Sequence, residues 1–403
     1  MDTDAIDRVV RSIVDDGYAP GAVAIVADRD RVLFSGASGF RNSETRQPMT
    51  IDTIFRIASM TKTVNAIAVL QLMEAGGLRL DTPVGDILPE FDEVQVIDGW
   101  DGETPRLRAP GTRVTMRHLL THTSGLTYDA LNAEAFRYVA ATGVPMPSSG
   151  RLATFASPMV VEPGTAWTYG MSADWTGRVV EAVSGLSLEE YYRRHILEPL
   201  GMPDTTFTLR DTQRARLAPV HARQIDGSFA PIDFEWVEDP EFLSAGHGLY
   251  STAADFVRVQ QLLLREGELD GTRLLAAESV RLMYTDHLSP LTIEPMPSTI
   301  PAFSDYMDLG PGLSWGLDAL LTVEQRPGMR AVGSAGWCGT FNTIYWVDRA
   351  SGLTAALYLQ TLPFWEPGAL AAFESFERAV YRSAGAPTRT MFLLDESKSG
   401  RMK

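Results

Sequence analysis

Ser59 and Lys62 are the two side chains whose types and spacing predict covalent chemistry. They stand three residues apart in "FRIASMTKTV" (residues 55–64), so on a helix the hydroxyl and the amine would lie on one face, within hydrogen-bond reach. Lys62 is also the one lysine before residue 398, because arginine supplies the other positive charges. A desolvated lysine can lose its proton and act as a base, whereas arginine stays charged. The pair therefore predicts a serine nucleophile beside a lysine base.

The elements that must position this pair can be read from hydrophobic periodicity. Residues 61–74 are apolar on nearly every face and stop before Gly76 and Gly77, which predicts a buried helix with Ser59 at its N-terminal edge. Free N–H groups at a helix start can stabilise an oxyanion. Upstream, residues 4–15 predict a helix, and "GAVAIVADRDRVLFSGASGF" predicts an antiparallel hairpin.

The rest of the chain divides by composition. From about residue 80 to 205, short helical patterns alternate with Pro/Gly loops, whereas strand-like runs return at 341–348 and 353–361 and would complete the sheet. We predict an α/β domain with a central antiparallel sheet from residues 1–80 and 206–385, and a helical domain from 81–205. Residues 386–403 are predicted to be a flexible tail.

Composition limits the partners. A formal charge of −16 opposes binding to nucleic acid or to an anionic membrane, and no apolar run is long enough to span a bilayer. The single cysteine excludes an internal disulfide. Because "MDTDAIDRVV" has neither a basic nor an apolar leader region, a cytoplasmic location is expected.

A third group should shuttle protons between base and nucleophile, and Tyr169 in "WTYGMSADW" is the candidate. A phenol beside a cationic amine would have its ionised form favoured. With 12 tyrosines in the chain, spacing alone does not single out this one.

Five segments in this order carry a family resemblance: "FRIASMTKT", "LLTHTSGLTY", "PGTAWTYGMSADWTGRVVEAVSGLSLEEYY", "EPLGMPDTTF" and "GHGLYSTAADFVRV". Over about residues 20–385 the chain resembles the serine hydrolases related to class C β-lactamases, most closely family VIII carboxylesterases and lovastatin-type acyltransferases. The resemblance implies a β-lactamase/transpeptidase-like fold, in which helices flank an antiparallel sheet and an all-helical domain adjoins it. It also implies that Ser59 is acylated and that Lys62 and Tyr169 share the role of base.

The same resemblance implies that Trp337, Cys338 and Gly339 form the third motif of the family, after those that contain Ser59 and Tyr169, and that this motif lies on a strand facing the serine. The N–H groups of Thr340 and Ser59 would then form the oxyanion hole. β-Lactamases have a lysine where this chain has the tryptophan ring, so the site is less suited to an anionic substrate.

Two further positions are expected in the substrate pocket. Met171 replaces the asparagine of the β-lactamase Y-x-N motif, which removes an amide and favours esters with apolar acyl groups. His247 in "AGHGLYS" falls in a loop near the pocket, although a simple turn histidine between glycines is an equal alternative.

Four other features have structural explanations. Ser314 lies in a G-x-S-x-G pattern, but no histidine follows His287 to complete an α/β-hydrolase triad. His118 and His122 have a metal-ligand spacing without the glutamate of H-E-x-x-H proteins. Asp174 at a helix start is explained by the helix dipole, and Cys338 by burial in a strand.

The sequence thus predicts a serine esterase that hydrolyses short- to medium-chain carboxylic esters through an acyl-enzyme on Ser59. It needs no cofactor or metal, its partner is a small-molecule ester, and its oligomeric state is open. The alternatives are a lovastatin-type acyltransferase, a β-lactamase or D-amino-acid peptidase, and a non-catalytic binding protein on the same fold.

Overall fold

A central antiparallel sheet organises the chain, and the computed structural model describes residues 1–385 of it. The strands are β1 (Gly21–Asp28), β2 (Val32–Asn42), β3 (Gln47–Pro48), β4 (Phe55–Arg56), β5 (Val96–Asp101), β6 (Thr104–Arg108), β7 (His221–Arg223), β8 (Phe229–Pro231), β9 (Tyr250–Ser251), β10 (Glu268–Leu269), β11 (Thr272–Arg273), β12 (Leu313–Trp315), β13 (Leu320–Thr322), β14 (Ala335–Gly339), β15 (Thr343–Asp348), β16 (Leu353–Tyr358) and β17 (Thr361–Leu362). The helices are α1 (Thr3–Asp15), α2 (Thr61–Glu74), α3 (Met116–Leu120), α4 (Ala133–Thr142), α5 (Ser172–Ser184), α6 (Leu188–Tyr192), α7 (Glu198–Leu200), α8 (Asp211–Arg214), α9 (Ala253–Leu264), α10 (Ala277–Met283) and α11 (Pro367–Ser383).

The central sheet has the order β12-β13-β14-β15-β16-β1-β2-β3. Strand β1 pairs with β2 on one side and with the late strand β16 on the other, both antiparallel. The predicted hairpin and its completion by late strands are therefore confirmed.

Both faces of the sheet are covered, which explains why β1 reads as a continuous apolar run. Side chains alternate across a strand, so Val23 and Ile25 enter the larger core with α2 and α9. Ala22 and Ala24 face the opposite side and pack with α1 and α11. The chain has the predicted α/β fold with helices on an antiparallel sheet.

Helix α2 has the predicted bounds and is buried along most of its length, from Thr61 to Leu70. It packs against α5 on one side and continues the turn that carries Ser59. A helix enclosed by neighbours holds its side chains in fixed rotamers. Lys62 therefore projects from a helix that its neighbours enclose.

The region 81–205 departs from the all-helical expectation because it contains the hairpin β5–β6. Asp101 pairs with Thr104 across a two-residue loop, and Gly102 adopts a φ of +63° there. The two strands are short and lie between helical patterns, so the sequence analysis did not predict them. The domain boundaries stay a prediction, and the predicted tail, 386–403, lies outside the described residues. Within residues 1–385, every helix is too short or too polar to cross a bilayer.

Candidate active site

Ser59 lies in a tight turn, Ala58–Met60, directly before α2. Ala58 has a φ of +44°, in the left-handed region that non-glycine residues rarely adopt. This bend joins β4 to α2, and Ser59 lines a largely apolar cavity. Only 7% of Ser59 is exposed, so the hydroxyl is accessible through that cavity and not from the open surface.

Lys62 is completely buried, and its ammonium nitrogen has three hydrogen-bond acceptors. Nζ lies 3.2 Å from Ser59 Oγ, 3.2 Å from the Tyr128 hydroxyl and 2.8 Å from the Gly246 carbonyl oxygen. Burial lowers the pKa of Lys62 to about 8, although the carboxylates of Asp174 and Asp318 oppose the shift. A neutral amine could donate to the tyrosine and the carbonyl and direct its lone pair at the serine. The predicted serine–lysine contact is thus present.

Tyr169 joins this cluster, but its protonation state differs from the expectation. Its hydroxyl accepts a hydrogen bond from Trp337 Nε1 at 2.9 Å, and its ring centroid lies 4.8 Å from Lys62 Nζ. Burial raises the pKa of Tyr169 well above its ordinary value, and the interactions with Ser59 and Trp337 lower it only in part. The expectation of a favoured phenolate was wrong, because desolvation outweighs the nearby cation. Tyr169 can carry a proton, and Lys62 is the better base.

Tyr128 is a second phenol at the site that sequence reasoning missed. It follows directly on the "HTSGLT" segment, and its hydroxyl accepts a hydrogen bond from the Lys62 amine at 3.2 Å. Burial raises the pKa of this phenol as well. Tyr128 is the last residue of "LLTHTSGLTY", yet nothing in a single sequence distinguishes it from the other tyrosines.

The third motif brings β14 against the Ser59 turn. A Cβ atom on Gly339 would lie 2.4 Å from the Ile57 carbonyl oxygen, so glycine is what allows this approach. The next residue, Thr340, lines the same cavity as Ser59. Within residues 1–385 neither the Ser59 nor the Thr340 N–H donates to a protein acceptor. Two free amides beside the hydroxyl could receive an oxyanion.

The cavity over Ser59 is largely apolar and holds about 870 Å³ of space, part of it open to solvent. Of the predicted pocket residues, Trp337 and His247 line it. Gly339 does not, and Met171 is buried at the start of α5, where it lines a smaller neighbouring pocket. Sequence reasoning missed the large apolar side chains that form most of the wall, which are Leu131, Met146, Phe234, Trp236, Phe303 and Phe341.

Asp174 does more than complement a helix dipole, contrary to the sequence interpretation. It is 1% exposed, and its Oδ1 accepts from Ser244 Oγ at 2.6 Å and from the Gly246 N–H at 3.0 Å. The Gly246 carbonyl in turn receives the Lys62 amine. The carboxylate therefore fixes the loop that contacts Lys62 and also favours its charged form.

The histidine pair of "HLLTH" is structural. His118 Nδ1 accepts the Thr115 N–H at 3.2 Å and so caps its own helix. His122 Nε2 lies 3.0 Å from Asp318 Oδ1, and both side chains are fully buried. Among residues 1–385, no three side chains of metal-ligating type come together.

The two rival nucleophiles also have structural places. Ser314 lies in β12 and donates to Asp286, and a second strand follows where an α/β-hydrolase elbow would need a helix. Cys338 is buried in β14, and burial raises the pKa of its thiol strongly. A protonated thiol is a poor nucleophile.

Comparisons with known proteins show what the chain is similar to. Residues 6–377 match the family model described as Beta-lactamase. The sequence is similar to monacolin J acid methylbutanoyltransferase of Aspergillus terreus, with 32% identity over 93% of this chain and 95% of that protein. It is also similar to the lovastatin esterase of Penicillium rubens, with 30% identity over 94% of this chain and 99% of that protein. The structure is similar to unliganded simvastatin synthase from Aspergillus terreus, with a TM-score of 0.81, 30% identity and coverage of 96% and 100% of the two chains.

Proposed function

The chain belongs to the beta-lactamase family, and from this premise we propose that it is a serine acyltransferase that carries its acyl group on Ser59. The observation that supports the proposal most directly is the fully buried Lys62 amine, 3.2 Å from the Ser59 hydroxyl, with its pKa lowered to about 8. A base with a pKa near the working pH is well suited to proton transfer.

Acylation would proceed as follows. The neutral Lys62 amine takes the proton of Ser59 as Oγ attacks the carbonyl carbon of the donor. The developing oxyanion receives hydrogen bonds from the N–H groups of Ser59 and Thr340. The C–O bond to the donor's alcohol breaks, and the proton returns from Lys62, with Tyr169 in reach to pass it, to the departing oxygen.

Deacylation repeats these steps in reverse with a new alcohol. The cavity wall favours transfer over hydrolysis, because apolar and aromatic side chains surround Ser59 and disfavour water there. The names of two relatives also support transfer, since one is a methylbutanoyltransferase and the other a simvastatin synthase. Transfer therefore replaces the hydrolysis that the sequence alone favoured.

Hydrolysis is the second candidate, and one relative specifically supports it. The lovastatin esterase matches the chain over nearly its whole length. A water molecule that reaches the acyl-enzyme would be activated by the same Lys62. The narrower assignment to family VIII carboxylesterases belongs with this second candidate.

A β-lactam substrate fits the cavity less well. Trp337 replaces the cation that holds the antibiotic's carboxylate, and its indole N–H is already engaged with Tyr169. Within residues 1–385, no lysine or arginine lines the cavity, and the nearby Lys62 amine is engaged with Ser59, Tyr128 and Gly246. A carboxylate buried there would lack a counter-charge.

The proposal is tested with p-nitrophenyl butyrate in the presence of increasing 1-butanol. We expect a burst of p-nitrophenol equal to the enzyme concentration, a mass increase of one butyryl group, and butyl butyrate as the main product. Ser59→Ala should abolish all three, whereas Ser314→Ala, the matched serine in β12, should retain them. Free butyrate as the sole product at every butanol concentration would establish hydrolysis instead. Unchanged turnover in Ser59→Ala would refute the acyl-enzyme.

A further inference from the structure

Two contacts with Ser244 and one with Trp236 hold His247 beside the Lys62 site. Its backbone N–H donates to Ser244 Oγ at 3.1 Å, and its Nδ1 lies 2.7 Å from the same oxygen. The ring packs against Trp236 with a centroid separation of 4.9 Å. The preceding residue, Gly246, supplies the carbonyl that contacts Lys62.

These contacts define which ring nitrogen carries the proton. Ser244 has one hydroxyl proton, and its 2.6 Å contact with Asp174 Oδ1 has the length of a hydrogen bond donated to a carboxylate. The same oxygen of Asp174 also accepts the Gly246 N–H. Since Ser244 has already donated its proton, Nδ1 of His247 must be the donor in their contact. The Nε2 atom of His247 is then an acceptor with a free lone pair.

The free edge of His247 stands between two cavities. The residue lines the apolar cavity over Ser59 and also an adjoining outer cavity, and it shares this position with Pro147, Ser148 and Trp236. The outer cavity holds about 1220 Å³ of space, part of it open to solvent, and has polar side chains that include Thr208, Arg214, Glu235 and Asp239. Within residues 1–385, Nε2 has no hydrogen-bond partner. Burial lowers the pKa of His247 to about 4, so the ring is neutral at neutral pH.

We propose that His247 selects the acyl acceptor, and that the acceptor is an alcohol with a second hydroxyl group, which donates a hydrogen bond to Nε2. This inference rests on the proposed acyl transfer from Ser59. The acyl chain occupies the apolar cavity, and the polar remainder of the acceptor extends past His247 into the outer cavity. The donor side of the reaction does not involve His247.

The two hydroxyl groups have separate roles. The reacting hydroxyl gives its proton to the neutral Lys62 amine as its oxygen bonds to the acyl carbon. The bond between that carbon and Ser59 Oγ breaks, and Lys62 returns the proton to Oγ. The second hydroxyl keeps its proton, donates it to Nε2 of His247 and leaves unchanged with the ester product.

The test compares acceptors within one enzyme. The rates of butyryl transfer from p-nitrophenyl butyrate to 1,2-, 1,3- and 1,4-butanediol are each divided by the rate to 1-butanol, so the amount of active enzyme cancels. For at least one diol we expect a preference of about three- to tenfold, the usual worth of one hydrogen bond. The preference should lie in the acceptor's KM and not in kcat.

Two variants separate the nitrogen atoms. His247→Asn keeps a donor for Ser244 but has no atom at the Nε2 position, so the diol preference should fall to about one. His247→Gln places its amide oxygen near that position and should keep part of the preference. Three results would overturn the inference. They are a wild-type enzyme without any diol preference, equal preference ratios in all three proteins, and complete loss of the diol preference in His247→Gln. Unchanged turnover of p-nitrophenyl butyrate in Ser59→Ala would instead refute the proposed acyl-enzyme, and this inference with it.

Discussion

Acylation of Ser59 should become faster as the pH rises through about 8, because only the neutral Lys62 amine can accept the serine proton. The lowered pKa of about 8 implies that the neutral fraction is about 1% at pH 6 and about one half at pH 8. The burst rate with p-nitrophenyl butyrate should therefore increase about 50-fold between these values and level off above pH 9. Stopped-flow absorbance at constant ionic strength measures this rate directly.

Replacing Lys62 by arginine tests the same reasoning at fixed charge. An arginine of ordinary pKa is neutral about 10⁴ times less often than Lys62 at pH 8, so the burst rate should fall by about that factor. Because the site is fully buried, thermal unfolding and circular dichroism should first establish that Lys62→Arg is folded. A flat wild-type profile from pH 6 to 9, or a folded Lys62→Arg with a burst rate within tenfold of wild type, would show that Lys62 is not the base.

Three further substitutions follow from the contacts around the site. Asp174→Asn removes the carboxylate that most favours the charged form of Lys62, so the pKa of Lys62 should fall and the rise in burst rate should occur at lower pH. A shift of this rise to higher pH would contradict the electrostatic role. Tyr169→Phe removes a phenol in reach of the transferred proton and should slow the burst by about 10²-fold or more. Tyr128→Phe loses one hydrogen bond to Lys62 and should slow the burst about fivefold. The reverse order in stopped-flow assays would exchange the roles of the two tyrosines. Gly339→Ala places a Cβ atom 2.4 Å from the Ile57 carbonyl oxygen, so it should lower the free energy of unfolding by about 1–3 kcal/mol in urea titrations. Unchanged stability would show that β14 can move away from the Ser59 turn without a loss of stability.

The sequence predicted those parts of the fold that depend on local patterning. Helix α2 begins and ends where its apolar run does, and β1 and β2 follow the two β-rich runs on either side of a charged turn. The short hairpin β5–β6 was missed, because two strands of five or six residues between helical patterns give little periodic information. Similarly, Ser59 and Lys62 were found because three residues of helix suffice to bring them together.

The remaining partners of Lys62 come from distant parts of the chain. Tyr128 is 66 residues away and Gly246 is 184 residues away, so only packing of α2 against the loops at those positions places them together. The aromatic wall of the cavity likewise draws on segments near residues 131, 234, 303 and 341. No spacing rule connects these positions, and a single sequence therefore did not identify them.

The sequence by itself determined the contact between the proposed nucleophile Ser59 and the proposed base Lys62, since residues three apart meet within one helical turn. The tertiary structure decided the directions of the pKa shifts, because burial lowers the pKa of Lys62 and raises the pKa of Tyr169. Desolvation depends on everything that surrounds a group in space. A pattern of residues can therefore nominate a base, but only the folded environment makes it one.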